Sequence, residues 1–154
     1  MIYRSTKTFT HSVGLSCAFR QWKAKSHCRF LHGYAIQVRI EFEANKLDER
    51  NWVVDFGGLK ALKKWLEDIF DHKTLVAKDD PELMTYCKMH ERGICDLVIL
   101  DAVGCEKFAE LIFDKAENFL RRSEYDGRVV IRKVEVSEHQ GNSGMAIRED
   151  HPIK

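Results

Sequence analysis

Over residues 34–43 apolar and polar positions alternate. Tyr34, Ile36, Val38, Ile40 and Phe42 fall on one face, and Gln37, Arg39, Glu41 and Glu43 on the other. A period of two predicts a strand with one buried face in an antiparallel sheet. Residues 2–11 are its expected partner. A turn over 45–50 leads into residues 51–56, and over 57–70 the period becomes helical. There Leu59, Leu62, Leu66 and Ile69 recur on one side, with Lys60, Lys63, Lys64 and Glu67 outside. A second amphipathic helix is predicted over 106–122, carrying Phe108, Leu111, Ile112 and Phe119. Residues 78–95 have no clear period and read as irregular or partly helical. The apolar run Leu97-Val98-Ile99-Leu100 is a candidate strand. Gly127 opens a last strand over 128–138, and residues 139–144 are rich in turn formers.

This order predicts an α+β fold, an antiparallel sheet with two helices on one face. A small open sheet leaves edges to be paired or covered, so a homo-oligomer is expected. The 154 residues suit a single domain over 1–154. Nothing repeats, no low-complexity linker interrupts the chain, and the prolines stand only at Pro81 and Pro152.

Charge and cysteine usage narrow the partners. Lys and Arg number 25 against 24 Asp and Glu, a formal net charge of +1, and the cations are scattered. Neither nucleic acid nor an acidic surface is an expected partner. No apolar run approaches membrane-spanning length, and the residues from Met1 to Lys7 lack the apolar centre of a signal peptide. The five cysteines are odd in number and form no CxxC pair, which argues for reduced thiols rather than a disulfide framework or a zinc knuckle. A cytoplasmic protein is expected.

Four places could carry chemistry. Cys28-Arg29-Phe30-Leu31-His32-Gly33-Tyr34 heads the alternating strand, and a thiol with an imidazole there can form a reacting pair or a metal site. A buried Cys beside a hydrogen-bonded His is the plainer reading. Asp71-His72 follows the first helix, where a carboxylate can orient an imidazole for proton transfer, or the pair can be a solvated helix end. Glu138 ends the last strand; facing a pocket, it can accept two parallel hydrogen bonds from a guanidine-like edge. Glu106 opens the second helix, where compensation of the helix dipole already accounts for it. The chain has no GxGxxG, GxxxxGK[ST], GxSxG or HExxH motif.

In this order the motifs resemble the 6-pyruvoyl/6-carboxy-tetrahydropterin synthases. The pieces are Cys28 with His32-Gly33-Tyr34, Val53-Val54-Asp55-Phe56-Gly57-Gly58-Leu59-Lys60, Asp71-His72-Lys73-Thr74-Leu75, Glu106, and Val136-Ser137-Glu138 before a glycine turn. The match is good over 28–75 and moderate over 103–145. The Leu-His-Gly form looks like the 6-carboxy-tetrahydropterin synthases of queuosine biosynthesis. The resemblance implies a tunnelling fold, an oligomeric barrel of trimers stacked as hexamers, and active sites between subunits. It implies a lyase acting on 7,8-dihydroneopterin triphosphate, with Cys28, Asp71 and His72 as reacting groups and a 6-carboxy product; a 6-pyruvoyl synthase or related pterin side-chain lyase, or a non-catalytic pterin-binding protein of the same fold, is the alternative. Glu138 and Glu106 would bind the pterin substrate.

The resemblance also implies zinc, held in the family by a histidine in an F-x-x-x-H pattern and by both histidines of HGH. Here Tyr34 stands at the second HGH position. The first histidine has two alignments: Leu15-Ser16-Cys17-Ala18-Phe19 puts Phe19 at the ligand position, whereas Thr8-Phe9-Thr10-His11 supplies His11 at the end of a first strand. The expected ligands are His11 and His32, with Tyr34, His27 or solvent as the third. A second departure is the long stretch between His72 and Glu106, where Val103-Gly104-Cys105 replaces the family's Pro-Thr approach.

Overall fold

The structure, a computed structural model, describes residues 1–149. Residues 150–154 of the expected domain, Pro152 among them, lie outside the described residues. The alternating segment is β3 (His32–Ala44). Ile36, Val38, Ile40 and Phe42 are fully buried along it. Each such side chain contributes about 1.5–3 kcal/mol on burial, and a one-residue slip would turn the whole set to water. Glu43 breaks the pattern. It is buried, and Arg4 Nε donates to its carboxylate at 2.8 Å.

One edge of β3 is shared by two strands. β1 (Tyr3–Phe9) pairs antiparallel with its C-terminal part, and β2 (Leu15–Phe19) with its N-terminal part. A 3₁₀ turn at His11–Val13 and Gly14 at φ +83° separate the two. The other edge takes β6 (Val129–His139), which turns at Gln140-Gly141 into β7 (Asn142–Ile147). β7 occupies much of the stretch that turn composition marks as loop.

Beyond β2 the sheet becomes parallel, through β4 (Lys73–Ala77) and then β5 (Asp96–Leu100). The sheet is therefore mixed rather than antiparallel throughout. Parallel neighbours need a crossover, and α2 (Leu83–Glu91) supplies it between β4 and β5. The two expected helices are α1 (Lys60–Phe70) and α3 (Cys105–Arg121). They pack on the face that carries Ile36 to Phe42, where Phe70 and Phe108 meet edge to face at 5.4 Å. The third helix, α2, takes the other side: Val76 points away from the main core, and Tyr86 of α2 is buried outside it. Asp55 caps the 3₁₀ turn leading into α1 by accepting from Gly57 N–H at 2.8 Å, while its own N–H donates to the Tyr125 hydroxyl. The Asp-Phe-Gly-Gly block thus has a local structural task.

Gly33 sits where β2 and β3 approach most closely. A Cβ there would lie 2.5 Å from the Cys17 carbonyl oxygen, which is backbone and cannot swing away. Gly33→Ala is expected to lower stability by about 1–3 kcal/mol in denaturant unfolding. A change within the error of that measurement would show that the two strands separate freely.

Candidate functional site

The apolar stripe of β3 ends at Ile36. The next positions on the same face are Tyr34 and His32, and the strand beside them presents Cys17 and Phe19, paired in register with Tyr34 and His32. Phe19 is 1% exposed. Its ring lies 5.3 Å from that of His32 and 6.2 Å from that of Tyr34, and the His32 and Tyr34 rings meet edge to face at 5.4 Å. His32 Nδ1–H donates to the Phe30 carbonyl at 2.7 Å, which leaves Nε2 free. The core thus opens into an aromatic mouth.

Glu138, near the end of β6, faces both the Tyr34 hydroxyl and the Cys105 thiol. Burial pushes the Tyr34 phenol up, with further contributions from the charges of Glu138, Cys28 and Cys105. Burial likewise pushes the Cys105 thiol up to about 12, aided by Glu138 and Glu106. Glu106 is exposed in the first turn of α3, where helix-dipole compensation accounts for it, although it stands beside Cys105 and so at the rim of this mouth. Composition gave no sign of Cys105 as a member of the cluster. Its place directly before Glu106, at the start of a helix, was the available signal.

Cys28 lies in a short 3₁₀ turn, His27–Arg29, and is partly exposed. Gln21 holds it in place: the Gln21 N–H donates to the Cys28 carbonyl at 2.9 Å, and the Gln21 side-chain amide donates to the Val103 carbonyl at 3.0 Å. The neighbouring residues clasp the segment that leads into α2. Arg20 makes a bidentate pair with Asp80 at 2.8 and 2.6 Å, and Trp22 and Lys23 both donate to Asp79.

Asp71 and His72 occupy a different place. His72 takes the left-handed conformation at φ +58°, its N–H donates to the Ser16 carbonyl at 2.6 Å, and its Nδ1–H donates to Asp71 at 2.6 Å. Its side chain is 87% exposed, so Nε2 is directed at solvent. A cleft of about 400 Å³ beside it is lined by Ser16, Cys17, Ala18, Gly33, Tyr34 and Ala35 of β2 and β3 and by Cys95. Among the described residues no hydrogen bond or ion pair joins Cys28 to Asp71 or His72.

The expected zinc ligands also part. His11 lies in the 3₁₀ turn before β2, and its Nδ1–H donates to the Ala35 carbonyl at 2.5 Å. Ala35 stands three positions along β3 from His32, a separation of about 10 Å. It is Phe19, not His11, that faces His32, so the positions of Phe19, His32 and Tyr34 offer one imidazole, one phenol and a phenyl ring. They do not fit a zinc ion, which needs about four nitrogen, sulfur or oxygen ligands. The first strand is interrupted at Gly14, and it is the second segment, Leu15–Phe19, that pairs beside His32.

A family model described as 6-pyruvoyl tetrahydropterin synthase matches residues 8–150. The 6-carboxy-5,6,7,8-tetrahydropterin synthase of Rickettsia typhi is 43% identical over 75 residues, covering 48% of this chain and 54% of that protein. Its namesake in Rickettsia conorii is 36% identical over 75 residues, with the same coverage. The chain matches about half the length of these relatives. Among solved structures, the uncharacterized protein WS1659 from Wolinella succinogenes superimposes with a TM-score of 0.81 at 19% identity, covering 97% of this chain and 99% of that one. The 6-pyruvoyltetrahydropterin synthase of Plasmodium vivax does so with a TM-score of 0.69 at 15% identity and the same coverage.

The Arg20–Asp80 pair is the anchor of the Cys28 segment. Asp80 is 5% exposed, and Arg20 holds its carboxyl below the usual carboxylate range. Asp80→Asn leaves Arg20 without its counter-charge, and the expected loss is about 2–4 kcal/mol at neutral pH. A depressed carboxyl stabilises the fold above its unfolded pKa of about 4 and ceases to do so as pH falls through its lower folded value. The stability gap between wild type and Asp80→Asn should therefore narrow below about pH 4. A gap independent of pH in urea unfolding would show that the ion pair is not its source.

Proposed function

We propose a pterin side-chain lyase for this chain, which belongs to the 6-pyruvoyl tetrahydropterin synthase family. The observation that carries the reading is the position of Glu138 at the mouth of the core. It is a partly buried carboxylate with Tyr34 and Cys105 around it and Cys28 close by. A carboxylate so placed can accept from the ring N–H and the amino group of a pterin at once.

In this reading residues 1–154 form one domain of a cytoplasmic homohexamer, and 7,8-dihydroneopterin triphosphate is the substrate. Glu138 anchors the pterin, and Glu106 lies at the rim of the same site. Cys28 takes a proton from the three-carbon side chain. His72, oriented through Nδ1 by Asp71, presents Nε2 as the opposing proton carrier. Because among the described residues no contact joins these groups within one chain, the pair comes from a neighbouring copy. Loss of triphosphate leaves a dicarbonyl side chain; water adds to the carbonyl next to the ring, and the carbon–carbon bond between the two carbonyls breaks, so that acetaldehyde leaves and the ring keeps a carboxylate, giving 6-carboxy-tetrahydropterin. The Rickettsia names favour this product over 6-pyruvoyl-tetrahydropterin. No step passes through a metal, since His11 and His32 do not share a place.

Two experiments test the reading. Cys28→Ala and His72→Ala should each abolish turnover without a large change in melting temperature. Mixed and reassembled, they should regain activity at about a quarter of the sites, those built from the two intact halves. No recovery in verified mixed oligomers would refute a shared site, and no product from wild type would leave a pterin binder. Glu138→Gln should weaken binding of a non-reactive pterin about 10- to 100-fold, because the amide sets a donor against the ligand's donors. Equal affinities by calorimetry would remove Glu138 as the anchor.

A further inference from the structure

We infer that the metal-ligand position of this fold has become an aromatic cluster in this chain, with Phe19 packed where an imidazole would be needed and His32 and Tyr34 left as hydrogen-bonding groups. The register fixes the place. Phe19 is the residue of β2 paired with His32, on the same face, with its ring 5.3 Å away. A phenyl ring has no lone pair to offer a metal ion, and this one is packed against Phe108 at 5.1 Å, so it does not yield its position to another ligand. Tyr34, at the next same-face position of β3, directs its hydroxyl toward Glu138.

Among the described residues no other imidazole arrives to restore the set. His11 is held at the Ala35 carbonyl, about three residues along the strand. His27 is exposed in the turn that carries Cys28. The ring of His139 lies 6.1 Å from that of Tyr34, but its Nδ1 accepts from the Gly141 N–H and its Nε2 meets the Asn142 side chain. Among the described residues no three His, Cys, Asp or Glu side chains converge as a metal-binding group. What a substrate hydroxyl meets at this place is His32 Nε2 and the Tyr34 hydroxyl.

The experiment reads metal directly and needs no substrate, so its outcome is independent of the lyase reading. Wild type purified without a histidine tag and dialysed against zinc is expected to retain less than about 0.1 zinc per chain. Phe19→His/Tyr34→His rebuilds three imidazoles on one face. It is expected to retain about one zinc per chain and, with cobalt, to show the visible absorption of a tetrahedral site. Near-stoichiometric zinc in wild type, lost in His32→Ala, would overturn the inference. A double variant with a native circular dichroism spectrum that stays metal-free would also overturn it, since Phe19 would not then stand at a ligand position. Should the double variant not fold, Phe19→His alone is titrated with cobalt. Binding at least about tenfold tighter than wild type supports the inference, and unchanged binding overturns it.

Discussion

The strand β3 carries two tasks on a single face. From Ile36 onward its inward residues are apolar and fully buried, and they hold α1 and α3 against the sheet. At Tyr34 and His32 the same face continues without a break but changes chemistry, where burial falls from complete to partial. The strand is hydrogen-bonded along one edge by β1 and β2 in succession and along the other by β6. Register errors in any of these pairings would move core and site together. The rigidity of the hydrophobic half is therefore what positions the polar half, and neither can shift independently of the other.

The elements legible in the sequence are those whose burial is periodic. β3, α1 and α3 each bury one face, so their spacing announces them, and their ends fall within a few residues of the expected ones. β4 buries Leu75, Val76 and Ala77 in a row because it lies in the parallel half with α2 on one side and the core on the other. A strand covered on both faces has no alternation to read. β7 contains Asn, Ser and Gly, and its composition points to a turn, yet its backbone pairs with β6 throughout. Backbone pairing leaves no trace in side-chain polarity. At the site, Gly14 was the missed cue. Its left-handed conformation ends one strand segment and starts the next, which makes Leu15 to Phe19 a strand and carries Phe19 to His32.

The segment over 78–95 gains a meaning that its composition did not suggest. It is the crossover that allows β5 to lie parallel to β4, and it also presents Asp79 and Asp80 to the loop after β2. That loop carries Cys28, and Gln21 ties its two ends together before reaching across to Val103 at the approach to α3. An insertion between sheet strands thus fixes a loop at the mouth of the core. Buried bidentate pairing suits this task, because an arginine fork against a carboxylate sets orientation as well as distance.

Burial then separates five cysteines that are indistinguishable by count. Cys17 is on the inward face of β2 and is pushed up to about 12, first by burial and then by the nearness of Cys105. Cys105 reaches about 12 under burial and the charges of Glu138 and Glu106. Thiols in that state are neutral at physiological pH and act as small apolar groups. Cys87 and Cys95 lie on and after α2 and are partly exposed, with Cys95 lining the cleft beside His72. Cys28 alone among the five combines partial exposure with a place beside Tyr34 at that mouth. A thiol must reach solvent and substrate to exchange a proton with either. Burial withholds that access from Cys17 and Cys105 and leaves it to Cys28, which is the physical ground for the proton-transfer role proposed for Cys28.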